Sequence, residues 1–218
     1  MRFKKGQRNL SDFWDKHYLS FNENDSSPFC KEVISKYLKP EDYVIEIGCG
    51  NGRDGAHLAK IVHFYEGIDL SESAISSAKN RFIQAGISSS KYLIHQGDFS
   101  KIEFSNHNSN RIVIYSRFSL HSDTEESENA LLSKLKQMKT NQLLVLIEVR
   151  TIYDELFGLG EPAGRNAFIT DHYRRFVEPE EFRAKVSQDF ELVNYQVSEG
   201  FAAYKEENPI VLRIAFQN

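Results

Sequence analysis

The sequence predicts one α/β domain with a doubly wound, mostly parallel, seven-stranded sheet. Three features predict it: apolar, β-branched runs alternate with helical stretches, a glycine-rich turn follows the first run, and two alternating runs close the chain. Because strand–helix–strand units build parallel sheets, this alternation favours a parallel arrangement. The 218 residues, 40% of them hydrophobic, are enough for one core that covers both faces of the sheet.

Five parallel strands and a closing antiparallel pair are predicted from the apolar runs. The five lie at residues 43–47, 64–68, 92–95, 111–115 and 143–149, and the closing pair at 190–197 and 210–216. Residues 71–82 form the clearest helix, because Ser71 suits an N-cap, apolar side chains recur at helical spacing, and Gly86 follows its end. A further helix is predicted at residues 179–187.

Residues 151–178 interrupt this alternation and are predicted to be an inserted loop. They contain Gly158, Gly160, Pro162 and Gly164 and no long periodic run. A structureless loop of that length in a compact domain commonly acts as a lid or a binding segment. The predicted organisation is a helical cover segment at 1–28, with an aromatic helix at 10–19, and a main domain at 29–218.

Composition and charge restrict the class of partner. A net charge of −4 argues against a protein that follows a nucleic-acid backbone, since such binding needs a continuous cationic surface. No run of eighteen apolar residues occurs, and the N-terminus lacks the apolar stretch of a signal peptide, so neither a membrane span nor export is expected. The two cysteines, Cys30 and Cys49, are too few for a disulfide framework and favour a reducing, cytoplasmic location.

The glycine-rich turn predicts a nucleoside-containing cofactor. It begins at Glu46 and places Gly48, Gly50 and Gly52 directly after the first strand. Glycine lets the backbone adopt positive φ and approach a ligand closely. Asp69 ends the second strand, where its carboxylate can accept both hydroxyls of a ribose. A dinucleotide usually needs the spacing G-x-G-x-x-G, and this turn is one residue short of it.

The turn resembles the E/D-x-G-x-G-x-G signature of class I S-adenosylmethionine-dependent methyltransferases, and Gly67 to Ser71 and Gln96 to Phe99 resemble the family's second and third motifs. The resemblance implies that Glu46 helps hold the methionine ammonium and that Asp98 contacts the adenine amino group. The implied cofactor residues are Glu46, Gly48, Gly50, Asn51, Asp69, Leu70, Asp98, Phe99 and Ser116, with Trp14 and Tyr18 of the aromatic helix closing over the adenosyl group. The alternative is a plain strand-to-helix turn with Asp69 as a helix cap.

Basic side chains after the fourth and fifth strands predict an acceptor site. Arg117 and His121 follow the fourth strand, Arg150 ends the fifth, and the insertion adds His172, Tyr173, Arg174 and Arg175. Arginine binds phosphate or carboxylate bidentately, and a buried arginine requires an anionic partner. Arg117, His121 and His172 are the candidate catalytic residues, either histidine serving as the base for a hydroxyl acceptor. The alternative for Arg174 and Arg175 is a solvated loop in which they pair with Asp171 and Glu178.

Two short segments, Ser116 to His121 and Asp171 to Phe176, resemble motifs of methyltransferases in bacterial surface-polysaccharide biosynthesis, such as O-antigen and capsule enzymes. The resemblance implies O-methylation of a phosphorylated or nucleotide-linked saccharide precursor, with a phosphate oxygen as one possible target. Another small anionic metabolite, or a cofactor-binding module without activity, stays open. No metal is expected, because the acidic run Asp123, Glu125 and Glu126 is better explained as the start of a helix. The expected partner is a small anionic or saccharide molecule, and a homodimer stays open.

Overall fold

A computed structural model describes residues 13–18, 25–101, 109–138 and 140–218. The chain has two compact units, Met1–Phe99 and Ser100–Asn218. Residues 13–18 are helical and are labelled α1, whereas the rest of the predicted helix at 10–19 lies outside the described residues. The predicted boundary between a cover segment and a main domain stays a prediction.

The first unit contains three parallel strands in the order β3-β2-β1, with helices between them. The strands are β1 (Tyr43–Ile47), β2 (Phe64–Asp69) and β3 (Tyr92–Gln96), and the helices are α2 (Pro28–Lys36), α3 (Gly55–Ile61) and α4 (Glu72–Gln84). Every residue of β1 is buried, as expected for a strand with helices on both faces. The side chain of Ser71 accepts a hydrogen bond from the backbone of Ala74, which confirms Ser71 as the N-cap of α4.

The second unit contains four strands in the order β4-β5-β10-β9, in which β4 and β5 are parallel and β10 is antiparallel to both its neighbours. The strands are β4 (Arg111–Arg117), β5 (Gln142–Arg150), β9 (Glu191–Ser198) and β10 (Val211–Gln217), and the helices are α5 (Glu125–Gln137) and α6 (Pro179–Val186). A 3₁₀ turn, Leu120–Ser122, follows β4.

The predicted fold class is confirmed. The seven strands are ordered β3-β2-β1-β4-β5-β10-β9, a mostly parallel, Rossmann-like sheet with a closing antiparallel pair. Each predicted strand lies within two residues of an observed one at both ends. None of the helices among the described residues is long and apolar enough to cross a lipid bilayer.

The prediction that residues 151–178 lack regular structure is wrong. They contain a small antiparallel sheet of β6 (Glu161–Gly164), β7 (Ala167–Ile169) and β8 (Tyr173–Arg175). Strands this short span too few residues for apolar alternation to be visible in a sequence. The rings of Phe157, Phe168 and Phe176 pack against one another and give the insertion its own apolar contacts.

Candidate cofactor and acceptor sites

The glycine-rich turn connects β1 to α3 through backbone that side chains rarely adopt. Gly48, Gly50 and Gly52 have φ values of 68°, 52° and 72°. A Cβ on Gly50 would lie 2.5 Å from the hydroxyl oxygen of Tyr18. Two separate restrictions therefore demand glycine at position 50, since both the backbone conformation and the neighbouring ring exclude a side chain.

Asp69 joins the end of β2 to this turn. One carboxylate oxygen accepts a hydrogen bond from the backbone N–H of Gly50 at 2.8 Å, and the other accepts from the backbone N–H of Ser71 at 2.9 Å. Burial raises the pKa of Asp69, and the two backbone donors oppose that shift. Ser71, and not Asp69, caps α4, so the alternative of Asp69 as a helix cap is not what the structure shows. Each oxygen keeps a lone pair that could accept from a ribose hydroxyl.

Glu46 lies beneath the turn as a buried carboxylate. It accepts a hydrogen bond from the hydroxyl of Tyr65 at 2.7 Å. A Cβ on Gly55 would lie 2.2 Å from that hydroxyl and 3.0 Å from the carboxylate, so the start of α3 closes tightly over the pair. Burial raises the pKa of Glu46 well above its usual value, and the negative charge of Asp54 adds to the shift. A cationic ligand group nearby would favour the ionised form.

The aromatic residues of α1 contact the turn. Trp14 stacks on Tyr18 with ring centroids 5.9 Å apart, and Tyr18 lies against Gly50. Burial raises the pKa of the Tyr18 hydroxyl well above its usual value, and the charge of Asp69 adds to it. Asp15 anchors this helix through hydrogen bonds from the hydroxyls of Ser71 and Ser73. The sequence did not single out Asp15, because one acid in a polar segment has no distinguishing pattern.

The other predicted cofactor residues of this unit follow β1, β2 and β3. Leu70 is 47% exposed although it is apolar and directly follows Asp69. The side chain of Gln96 donates to the carbonyl of Leu70 at 2.9 Å, a contact that the sequence did not predict. Asn51 and Phe99 are buried and Asp98 is half-buried. The carboxylates of Glu46 and Asp69 and the backbone of the glycine-rich turn suit the polar parts of a nucleoside ligand, and the exposed Leu70 suits its apolar part.

The second unit gathers five predicted acceptor residues. His121 is buried on the 3₁₀ turn, and its Nδ1 has no hydrogen-bond partner among the described residues. Burial lowers the pKa of His121 well below its usual value, and the charges of Arg150, His172, Arg174 and Arg117 lower it further. These four groups therefore act on the charge of His121, and their assignment to one acceptor site stays a prediction.

Arg117 is held by residues that the sequence left unassigned. Its Nε donates to Glu148 at 2.8 Å, and its guanidinium lies 4.4 Å from the ring centroid of Phe118. Glu148 is fully buried and also accepts from Arg213 at 2.7 Å. Phe118 has a φ of 56°, which is uncommon for a residue with a large side chain. The available sequence signal was one acid near the end of the largely apolar strand β5.

Arg150 and Arg174 each have acidic partners. Nη1 of Arg150 donates to both carboxylate oxygens of Asp154, and Nη2 of Arg150 donates to Glu207. Arg174 donates to Asp171 at 2.7 Å, as the loop-pairing alternative predicted. Burial alone would raise the pKa of Asp171, but hydrogen bonds from Arg174 and Thr170 hold that pKa well below its usual value. His172 lies with Nδ1 3.1 Å from the same carboxylate.

Arg175 has a different environment from the other arginines. It is buried, and its Nη2 donates to Glu128 of α5 at 2.6 Å while Nε donates to the carbonyl of Asp123 at 3.2 Å. The loop-pairing alternative named Glu178 as a partner, but Glu178 instead caps α6. Tyr173, two residues before Arg175, is half-buried, and this burial raises the pKa of its hydroxyl. The assignment of Tyr173 and Arg175 to the acceptor site stays a prediction.

Ser116 and the acidic run of Asp123, Glu125 and Glu126 are the other polar residues of the second unit that the sequence singled out. The hydroxyl of Ser116 on β4 is buried without a hydrogen-bond partner among the described residues. Asp123 accepts from the backbone N–H of Thr124, the N-cap of α5, and Glu125 and Glu126 lie in the first turn. The acidic run therefore starts a helix, as predicted. In the described part of the chain, no group of three or more histidine, cysteine or acidic residues could hold a metal ion.

Part of the chain matches a known protein family, and the whole fold is similar to solved structures. Residues 44–140 match a family model described as a methyltransferase domain. A structure of an S-adenosylmethionine-dependent methyltransferase from Anabaena variabilis is similar at 14% identity and a TM-score of 0.72, covering 97% of this chain and 94% of that one. One from Methanosarcina mazei is similar at 18% identity and 0.68, covering 85% and 96%.

A glycopeptide N-methyltransferase, MtfA, whose structure contains S-adenosylmethionine, is similar at 14% identity and a TM-score of 0.61, covering 91% of this chain and 89% of that one. At identities this low, the structural similarity establishes a common fold and nothing more specific. The matched segment covers the glycine-rich turn, Asp69, Asp98 and His121, whereas Trp14 and Tyr18 lie outside it.

Proposed function

We propose that this chain is an S-adenosylmethionine-dependent methyltransferase that methylates an oxygen of a phosphorylated or nucleotide-linked saccharide, an intermediate of a cell-surface glycan. The observation that supports this proposal is the environment of His121, a buried imidazole surrounded by cationic side chains. A neutral imidazole can accept a proton, and the surrounding cations can bind an anionic group. The two properties together suit a hydroxyl on an anionic molecule.

His121 is the proposed general base. Its lowered pKa keeps the ring neutral at physiological pH, and Nδ1 accepts no hydrogen bond from the described residues. In the tautomer that carries its proton on Nε2, Nδ1 is available to accept the proton of an acceptor hydroxyl. Removing that proton as the oxygen attacks a methyl group avoids a positively charged ether product. His172 would be the second choice, because its Nδ1 already lies beside Asp171.

The arginines are the proposed anion-binding groups. Arg117, Arg150 and Arg174 all lower the pKa of His121, so their positive charge reaches the base although each has an acidic partner. A phosphate group bound here would be stabilised by charge-assisted hydrogen bonds. Its negative charge would also raise the pKa of His121 and strengthen it as a base.

In the first unit, the proposal assigns cofactor binding to residues whose chemistry fits each part of S-adenosylmethionine. Asp69 would accept from the ribose hydroxyls, Glu46 would face the ammonium group, and Leu70 would cover the adenine. Trp14 and Tyr18, whose ring lies against Gly50, would close over the adenosyl group. The bound cofactor supplies a methyl group on a sulfonium, which has a good leaving group, so alignment of the acceptor is the main task left to the protein.

Methylation of a phosphate oxygen is the second candidate, because a phosphate acceptor is already ionised and the arginines would bind it directly. The two candidates differ in their need for His121. A hydroxyl acceptor requires the neutral ring, so kcat/KM should fall only as pH falls through the lowered pKa of His121, well below its ordinary value of 6.5. A phosphate acceptor should show no such dependence on His121.

The test is a panel of acceptors incubated with purified protein and S-adenosylmethionine, with products identified by mass spectrometry. Phosphorylated sugars and nucleotide sugars should gain one methyl group, and the neutral parent sugars should not. Fragmentation would then locate the methyl on a hydroxyl or on the phosphate. Turnover of neutral sugars at equal rates would contradict the anionic acceptor, and cofactor binding without turnover of any compound would favour a module without activity.

A further inference from the structure

The side chains of β4, β5 and β10 form a three-residue ion network around one buried carboxylate. Glu148 of β5 accepts from Arg117 of β4 at 2.8 Å with one oxygen and from Arg213 of β10 at 2.7 Å with the other. Register places Glu148 opposite both arginines on adjacent strands. A single buried acid therefore fixes two arginines on opposite sides of itself.

Two guanidinium groups of this network contact the single carboxylate of Glu148. The side chain of Glu148 is fully buried and that of Arg213 is 6% exposed, whereas that of Arg117 is 16% exposed. Buried cations need anionic partners, and Arg117 is the member of the network that a ligand can reach most easily.

The orientation of Arg117 leaves one edge of its guanidinium available. Glu148 engages Nε, and the ring of Phe118 covers the guanidinium plane at 4.4 Å. The terminal nitrogens Nη1 and Nη2 make no hydrogen bond to any residue that the structure describes. These two nitrogens form the planar fork that binds two oxygens of a phosphate at once. We call them the terminal edge of Arg117.

We propose that Glu148 is a positioning residue that holds Arg117 so that its terminal edge binds a phosphate group of the acceptor. This inference rests on the proposed function for the identity of the acceptor, but it assigns to Glu148 a role in binding that the proposed function does not require. Arg213 holds the second oxygen of Glu148 and also donates to the carbonyl of Phe201 at 2.8 Å, which ties the carboxylate to β10. Glu148 thus acts through Arg117, without touching the acceptor.

Binding of inorganic phosphate, measured by calorimetry, tests this role without any methyl transfer. Glu148→Gln should raise the Kd for phosphate roughly tenfold, because the carboxylate that accepts from Nε of Arg117 loses its charge and holds the guanidinium less firmly. Arg117→Lys should raise it by a similar factor, since an ammonium group has no fork. If Glu148 acts through Arg117, the double variant should bind phosphate no more weakly than Arg117→Lys alone.

Arg213→Lys is the milder comparison within the same network, because it keeps the charge and changes the contact to the other oxygen of the carboxylate. It should lower the melting temperature yet leave the phosphate Kd within about threefold, since Arg117 keeps its anchor. If Glu148→Gln does not fold, Glu148→Asp keeps the charge but withdraws it from Nε, and it should also weaken phosphate binding several-fold.

Any of the following results would overturn the inference. They are wild-type protein that binds no phosphate, Glu148 variants that bind it as tightly as wild type, and Arg213→Lys weakening phosphate as much as Glu148→Gln. Equal effects of Glu148→Gln in the presence and absence of Arg117 would also count against it. None of these depends on turnover, so failure of the acceptor panel to show a methylated saccharide leaves this test intact.

Discussion

The cofactor region of the first unit and the acceptor region of the second are built in different ways. The first depends on backbone: Gly48 and Gly50 at positive φ, and the N–H groups of Gly50 and Ser71 that bind Asp69. The second depends on side chains, with His121 among arginines that each have acidic partners. A backbone site comes from one short segment, whereas a side-chain site draws on several strands and an insertion.

This difference explains why the first region has a recognisable sequence motif and the second does not. Backbone geometry restricts which residues are allowed at neighbouring positions, so it leaves a contiguous pattern of glycines. An ion network only requires that opposite charges meet in space, and its members can lie anywhere in the chain. Substitutions should therefore act on the first region through strain and on the second through charge and proton transfer.

The largest effect is expected at His121. His121→Asn removes the proposed base but keeps a polar side chain, and it should lower kcat by about 10²- to 10⁴-fold for a hydroxyl acceptor. Cofactor affinity, measured by calorimetry, should not change, because the residue lies outside the glycine-rich turn. His172→Asn is the control and should lower kcat much less. Unchanged kcat in His121→Asn would show that no base acts there and would favour a phosphate oxygen as the target.

The next effect concerns Asp69. Asp69→Ala should weaken S-adenosylmethionine binding by about 1.5 to 3 kcal/mol, the range for hydrogen bonds that involve a charged group. Glu72→Gln, which alters an exposed acid three residues away, should leave the Kd unchanged. Calorimetry compares the two. An unaltered Kd in Asp69→Ala would remove Asp69 from the cofactor site.

Gly50 and Gly86 separate backbone strain from close contact. Both have positive φ, but a Cβ on Gly50 would meet Tyr18 at 2.5 Å and a Cβ on Gly86 would meet nothing within 4 Å. Alanine at either position should cost about 1 to 2 kcal/mol of stability in a denaturant titration, from the left-handed backbone alone. Gly50→Ala should cost more, and only it should weaken cofactor binding. Equal losses in both variants would show that Tyr18 moves away freely.

Two helix caps give the smallest effects. Thr124→Ala removes the N-cap of α5 and should cost about 1 kcal/mol. Ser71→Ala removes the N-cap of α4 and, in addition, a hydrogen bond to Asp15 of α1. Ser71→Ala should therefore also weaken cofactor binding slightly, and Thr124→Ala should not. Identical behaviour of the two variants would argue against a role of Asp15 in holding α1 near the turn.

The sequence predicted the helices and strands well where periodicity was long. Residues 43–47 and 71–82 have continuous apolar patterns and clear boundary residues, and both elements form nearly as predicted. Prediction was wrong for residues 151–178, whose strands have three or four residues each. The role of Arg175 could not be separated from that of Arg174, because adjacent arginines look alike until one is buried against Glu128.

The amino-acid sequence alone predicted the parallel fold and the glycine-rich turn, because local backbone rules confine these to contiguous patterns, and the resemblance of that turn to a family signature predicted the cofactor. The tertiary structure decided which charges meet: Glu148 with Arg117 and Arg213, and Arg150 with Asp154. It also decided that His121 is buried, which lowers the pKa of its ring well below the usual value. Coulomb interactions and burial depend on distance in space, and residue spacing along a chain does not specify that distance.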